Sequence, residues 1–290
     1  NVRRGELGEY YMVFASKADY RGPYGDDGIP LLDYRGSVGQ QYNPIAIAQY
    51  GLGNYNAFYR TGDKERRRKF IAAADWLKAN LSQNDAELWV WNHHFDWDYR
   101  ETLKAPWFSS LAQGQGISLL VRAHHETGND EYMRAAESAF TPFLKTTDQG
   151  GVSFIDGNGN RWFEEYIVYP PTHILNGFIW SLWGVYDYSL ATGDNDAKKL
   201  VRQAGETLAE NLKHFDTGFW SLYEQSGTRL RMLASPFYHR LHIVQLKVMF
   251  RLTGLDIFSH YAQRWEGFQK STPKRVRALV HKALFKFVYY

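Results

Sequence analysis

A Thr-Gly dipeptide recurs four times along this chain, at Thr61-Gly62, Thr127-Gly128, Thr192-Gly193 and Thr253-Gly254, with Gly-to-Gly spacings of 66, 65 and 61 residues. Spacing this regular marks a repeat architecture, in which each unit buries its apolar face against its neighbours. Each dipeptide closes an apolar segment of helical period: 44–59, 110–125, 171–190 and 236–252. The Gly then serves as the residue just past a helix end, where left-handed backbone costs it nothing. A more charged amphipathic stretch follows each time, at 63–81, 130–144, 194–215 and 256–269. The unit is therefore an αα-hairpin with an apolar inner helix and an outer helix that keeps one polar face.

Between the hairpins lie alternating, aromatic-rich stretches with turn signals: 88–107, 151–169 around Asp156-Gly-Asn-Gly-Asn160, and 218–235 around Ser226-Gly227. Each reads as a β-hairpin leading into the next inner helix. The expected fold is mainly α, an (α/α) toroid or horseshoe of about four αα-hairpins with β-hairpins around the mouth of its cleft. Residues 1–40 are expected as an extension packed on the toroid, 41–272 as the toroid and 273–290 as a basic C-terminal helix. That last helix carries Lys274, Arg275, Arg277, Lys282 and Lys286 and no acid. Two readings of it stand side by side: a solvated or packing helix, and a contact with membrane lipid or a polyanion.

Composition narrows the function classes. The 48 aromatic residues, 17% of the chain, exclude a disordered or low-complexity protein. A net charge of +3 lacks the strong basic excess of a dedicated nucleic-acid binder but leaves acidic partners open. With no Cys there is no disulfide framework, no thiolate metal site and no thiol nucleophile. No apolar run reaches the roughly 20 residues that cross a bilayer. The first residues, Asn1-Val2-Arg3-Arg4, carry neither an initiator Met nor the apolar run of a signal peptide, and either can be lost before residue 1. The compartment stays open between a cytoplasmic and a membrane-peripheral setting, and a homodimer stays open too.

In a toroid, the segments entering the inner helices converge at the mouth, so functional residues are expected there. The stretch 161–178 places Glu164, Glu165, Tyr166, Tyr169, His173 and Asn176 just before an inner helix, and 219–242 repeats the arrangement with Tyr223, Glu224, Tyr238, His239 and His242. These strings, with Gln41-Tyr42-Asn43-Pro44-Ile45-Ala46-Ile47-Ala48-Gln49-Tyr50-Gly51-Leu52 and Gln113-Gly114-Gln115-Gly116, resemble the D-glucuronyl C5-epimerase family in order and spacing over roughly 41–267. Animal members of that family carry further β-domains ahead of the helical one, whereas about 40 residues precede the first helix here, so the chain resembles a compact, microbial-type relative.

The resemblance implies inversion at C5 of a uronic acid within a heparosan-like polysaccharide, D-glucuronate becoming L-iduronate. Such chemistry needs a base on one face of the sugar, an acid on the other, and neutralisation of a carboxylate that becomes an enediolate. On the family pattern Tyr166, Tyr223 and Tyr238 fall on the active-site tyrosines and Glu165 on the adjacent carboxylate, without an assignment of which Tyr serves which face. A phenol can act as acid or base where a cation or hydrogen bond lowers its pKa. The family also carries an Arg three residues after Tyr223, where this sequence has Ser226; Arg229, Arg231 and Arg240 are the candidates to replace it, or the substrate differs.

Further candidates for substrate contact are Gln113 and Gln115, read as opening the second inner helix with free N–H groups, together with Asn176, His239 and His242. Gln49 and Tyr50 lie deeper and balance packing against contact. For Glu164 and Glu165, adjacent strand residues point to opposite faces, so one of them is expected at the surface. Alternation over 91–99 puts His94, Asp96 and Asp98 on one face, a weak metal signature, and Trp91, His93, Phe95, Trp97 and Tyr99 on the other, as core or as an aromatic sugar platform. Asp26-Asp27-Gly28 reads as a turn, with a structural cation such as calcium the lesser reading; proton transfer itself needs no organic cofactor, and no catalytic metal is expected. Rival functions on the same fold are a uronate-specific polysaccharide lyase, a glycoside hydrolase using Glu165, Asp216 or Glu224, and a carbohydrate-binding toroid without catalysis.

Overall fold

A computed structural model describes residues 3–289. The N-terminal segment holds a short helix α1 (Ala15–Ala18) and a two-residue ribbon, β1 (Leu32–Asp33) with β2 (Gln40–Gln41), that the sequence reading did not anticipate. The inner helices are α2 (Pro44–Thr61), α4 (Ser110–Thr127), α6 (Leu175–Thr192) and α8 (Pro236–Thr253), and the outer ones are α3 (Lys64–Ala79), α5 (Asp130–Leu144), α7 (Asn195–Phe215) and α9 (Asp256–Lys270). Each inner helix packs on the outer helix that follows it, and the inner helices line up in the order α2, α4, α6, α8. A last helix, α10 (Thr272–Tyr289), packs on α9.

The four elbows are one device. Thr61, Thr127, Thr192 and Thr253 each donate the hydroxyl to the carbonyl four residues back, at 2.6 to 2.8 Å, and accept the N–H two residues on. The Gly after each has φ between 70° and 77°, the left-handed region, and its N–H returns to the carbonyl four residues before. Asp63, Asn129 and Asp194 then cap the next helix through their side chains. Buried Ala197, Leu200, Ala204, Leu208, Leu212 and Phe215 of α7 recur every three or four residues, the stripe expected of a helix with one face on a core.

The glycines of Gln113-Gly114-Gln115-Gly116 act in this packing. A Cβ on Gly114 would stand 2.6 Å from Ser181 Cα, and one on Gly184 would stand 2.1 Å from the Gly114 carbonyl, so α4 and α6 meet backbone to backbone. A Cβ on Gly116 would strike the ring of buried Trp91.

The connectors are less regular than expected. The stretch around 88–107 makes two small ribbons, β3 (Ser82–Gln83) with β4 (Trp89–Val90) and β5 (Trp97–Asp98) with β6 (Thr102–Leu103). The Asp156 turn does join β7 (Ser153–Ile155) to β8 (Arg161–Phe163). The 218–235 stretch forms only isolated bridges, Asp216 with Ser221 and Leu222 with Leu233. Helix α6 begins at Leu175 rather than Pro171, since the Leu175 N–H is taken by the Tyr223 carbonyl and His173 adopts a φ of 49°.

At the far end, opposite the N-termini of the inner helices, the N-terminal segment packs across α2, α4 and α6. Arg122 and Asp187 are fully buried there and paired at 2.6 Å. Tyr11 donates to Asp187 at 2.6 Å, the Arg122 Nε donates to the Gly8 carbonyl at 3.0 Å, and the rings of Tyr10, Tyr11 and Tyr55 lie within 6 Å of the guanidinium.

Candidate active site

The β5–β6 turn ahead of α4, the segments entering α6 and α8, and the first turn of α8 bring four tyrosines, Tyr99, Tyr166, Tyr223 and Tyr238, into one cluster. Tyr166 lies with its ring 4.6 Å from that of Tyr99 and 5.8 Å from that of Trp107, and Tyr223 lies 4.9 Å from Tyr238. All four pack around Ile174 and Ala234. Among them sits Glu165, 5% exposed, whose one hydrogen bond among the described residues is a long one, 3.5 Å, from the Asn176 amide. The carboxyl lies against the first turn of α6, where a Cβ on Gly177 would stand 2.1 Å from Glu165 Oε2. Gly177 is what lets the acid approach the helix.

Burial, reinforced by the charge of Glu164, pushes the Glu165 carboxyl up to about 8. Burial also raises the phenols of Tyr166, Tyr223 and Tyr238, the first two far above their ordinary value, and the negative charge on Glu165 adds to each shift. The hydroxyl contact between Tyr223 and Tyr238 works against the others for Tyr238 alone, which makes it the more readily ionised of that pair. Glu165 is thus the member of the cluster that changes protonation nearest neutral pH.

Beside the tyrosines, Glu224 is 1% exposed and binds the Tyr99 hydroxyl and the Arg100 guanidinium, whose Nε stands 3.1 Å away. Burial raises the Glu224 carboxyl to about 7. The guanidinium on Oε1 opposes that shift, and an ion pair of this geometry holds the group as carboxylate. A cavity of about 190 Å³ opens at Tyr99, Arg100 and Glu224. On the other side, at Trp107 and Ile167, a groove of about 810 Å³ runs along Asn84, Asn92, Glu101 and Lys104.

Residues 83–267 match the family described as D-glucuronyl C5-epimerase C-terminus. The chain belongs to the D-glucuronyl C5-epimerase family. It is 33% identical over 221 residues to the D-glucuronyl C5-epimerase of Caenorhabditis elegans, a match covering 71% of this chain and 35% of the nematode protein, so the aligned region spans about a third of that relative. The fold is shared with solved structures of low identity. An unsaturated glucuronyl hydrolase specific for heparin superposes with a TM-score of 0.50 at 12% identity, over 90% of this chain and 81% of the other. A D-mannose isomerase superposes at 0.54 and 9% identity, over 88% and 68%.

Against the C5-epimerase pattern, several expected substrate contacts turn out to be internal supports. Helix α4 begins at Ser110, where the segment 110–125 places it, with Ser109 capping the N–H groups of Leu111 and Ala112; the Gln-Gly-Gln-Gly string therefore does not open the helix and offers no free N–H row. Gln113 holds the Trp91 N–H and the carbonyls of Trp89 and Ala139. Gln115 accepts from Gln49 at 3.1 Å, and Tyr50 is buried against Tyr24 of the N-terminal segment.

His239 and His242 both bind the Ser221 hydroxyl, at 2.8 and 3.0 Å. His239 also stacks on Trp220 at 3.7 Å and bonds the Trp265 carbonyl. Burial holds both rings neutral, His239 down to about 4, so they clamp the segment carrying Tyr223 rather than bind an anion. Asn176 does reach the cluster, as the partner of Glu165.

Neither Glu164 nor Glu165 is at the surface. Glu164, 1% exposed, is matched by His173 at 2.5 Å, whose ring stacks on Trp162. Arg229, Arg231 and Arg240 are all exposed. The guanidinium that arrives at Ser226 is that of Arg100, with Nη1 3.5 Å from the Ser226 carbonyl. The sequence reading missed it because strand alternation ends at Tyr99; a cation in the turn of an otherwise aromatic ribbon was the available signal.

Over 91–99 the alternation holds, with Trp91, His93 and Phe95 buried as core and His94, Asp96 and Asp98 exposed. Asp96 binds Lys104 and the Ala105 N–H. Among the described residues no group of three or more His, Asp or Glu is placed to hold a metal, and Asp27 is engaged by the Ile29 N–H and the Tyr42 hydroxyl. Asp216, a hydrolase candidate, is bound by Arg264, Trp265 and the Gly218 N–H.

Proposed function

We propose that this protein is a uronyl C5-epimerase that converts D-glucuronate to L-iduronate within a heparosan-like polysaccharide. The observation that carries the reading is one buried carboxyl, Glu165, without a cationic partner in contact among the described residues and with the phenols of Tyr166, Tyr223 and Tyr238 near enough to feel its charge. In the forward step the C5–H bond breaks, its electron pair delocalises into the sugar carboxylate, and the proton passes to the base on that face. A phenol on the opposite face then gives its proton to C5 as the enediolate collapses. Glu165, ionising near neutrality, takes up or returns the proton that a neighbouring phenol exchanges. Arg100, brought to Ser226, supplies the cation that stabilises the enediolate. No organic cofactor is needed for these steps.

Heparosan incubated with the protein in deuterium oxide tests the reading by proton NMR. Deuterium at C5 with new iduronate signals is expected, and Tyr166→Phe, Tyr223→Phe and Tyr238→Phe should each lower exchange by about 10² to 10⁴-fold. An unsaturated uronate chromophore would make the protein a lyase, and new reducing ends without unsaturation a hydrolase. No exchange on heparosan or N-sulfo-heparosan would remove this substrate assignment.

A further inference from the structure

Helix α10 wears its apolar residues on the outside. Only Ala278 and Phe285 are buried among its described side chains. Val276, Leu279, Val280, Leu284 and Phe287 are between 53% and 89% exposed. At 100° per residue these five fall within one arc opposite Ala278 and Phe285. The stripe therefore faces away from the protein along about three turns, which soluble surfaces seldom allow.

Cations flank the stripe on both sides, with Lys274 and Arg277 along one edge and Arg275, Lys282 and Lys286 along the other, and the helix holds no acid. Three of the charged heads rest on the protein at its edge: the Lys274 ammonium over the Phe268 ring, the Arg277 guanidinium over Phe219, and the Lys282 ammonium on the Leu233 carbonyl. Arg275 and Lys286 are exposed. The neighbourhood adds to the charge, since Arg240 shares a surface cavity with Arg275 and Lys282, and Arg231 lies close enough to His281 to oppose its protonation.

We propose that α10 is an interfacial helix that seats the protein on an anionic membrane surface, its apolar stripe in the acyl boundary and its flanking cations among the headgroups. The charge selects this occupant. A second copy would bring two acid-free basic helices face to face, and a soluble polyanion would satisfy the cations while leaving Leu279, Val280, Leu284 and Phe287 in water. Anionic lipid answers both features at once. Helix α10 also packs along the segment that carries Tyr223, with Lys274 on the Gly218 carbonyl and Tyr289 accepting the Leu230 N–H, so docking would hold the cluster's rim beside the headgroups.

Co-sedimentation of the full chain with phosphatidylcholine vesicles, with and without about 30% phosphatidylglycerol, tests the proposal. Binding is expected to the anionic vesicles alone, weaker by about tenfold in Leu284→Glu or Phe287→Glu and again by about tenfold between roughly 50 and 500 mM salt. Because both side chains face outward, the melting temperature of either variant should match the parent and shows that the loss is not unfolding. Equal binding to neutral vesicles, or no binding, overturns the proposal. So does heparosan binding lost in Arg275→Glu/Lys286→Glu but kept in Leu284→Glu, which makes the helix a polysaccharide contact. A parent dimer that Phe287→Glu dissolves in sedimentation velocity, with no vesicle binding, overturns it in favour of self-association.

Discussion

Two ends of the ring bury charge in opposite ways. At the far end Arg122 and Asp187 are both fully buried, and each is met by a partner: the pair itself, the carbonyls of Gly8 and Ser118, the Tyr11 hydroxyl and three aromatic faces. At the mouth Glu165 is buried almost as deeply and is offered one amide at 3.5 Å and three phenols. A buried charge with every lone pair and proton matched is a structural tie, inert toward protons. A buried carboxyl left short of partners is pushed up to about 8, where it can exchange a proton near neutral pH. The same helices support both, so it is the partners and not the depth that separate fastening from chemistry.

The largest test of this contrast is Asp187→Ala, which strands Arg122 in the core and should cost about 3–5 kcal/mol in urea unfolding. A loss below about 1 kcal/mol would mean water reaches that cluster and the two ends are alike. Glu165→Gln should instead lower turnover by about 10² to 10⁴-fold while leaving the fold intact. Its stability signature follows from linkage. The native carboxyl holds its proton up to about 8 and the unfolded one only to about 4.5, so native stability falls as pH rises through that window, by about 1.4 kcal/mol per unit. Denaturation of Glu165→Gln from pH 4.5 to 8 should lose that slope, and turnover of the parent should rise toward pH 8 as Glu165 ionises.

Arg100→Met should lower kcat/KM by about 10²-fold, the usual effect of removing one donor to a developing oxyanion. Unchanged kinetics would take Arg100 out of the site and leave it as the counter-ion of Glu224. The smallest effect is expected for Tyr11→Phe, which removes one charge-assisted hydrogen bond to Asp187 and should cost about 1–3 kcal/mol, measured by the same urea titration.

The repeat, its elbows and the eight ring helices were legible because their signals are local. A Thr that caps its own helix, a Gly that must go left-handed and, in the first three elbows, an Asp or Asn that starts the next helix all lie within four residues of one another. Helix α4 shows the limit of that logic: the Gln-Gly-Gln-Gly string reads as a helix opening with free N–H groups, whereas its glycines answer to Ser181 and Trp91 across the interior. The tyrosine cluster entered through family resemblance, and no periodicity would have singled out Tyr166, Tyr223 and Tyr238 from 20 tyrosines. The Arg100 to Glu224 pair joins residues 124 apart in two connectors of irregular backbone, where neither position carries a pattern. Long-range pairing of charges is decided by how the hairpins dock, and that information is not local.

The elbows bear on how the chain folds. The hydrogen bonds of each join residues no more than four apart and owe nothing to the neighbouring repeat, so a helical hairpin can nucleate before the ring exists. The tyrosines belong to the connectors instead, and Tyr166 meets Tyr223 and Tyr238 only after the third and fourth hairpins have docked. Catalytic competence is therefore expected as the last property acquired in refolding, lagging the return of helical circular dichroism, and a partly assembled chain would be helical and silent.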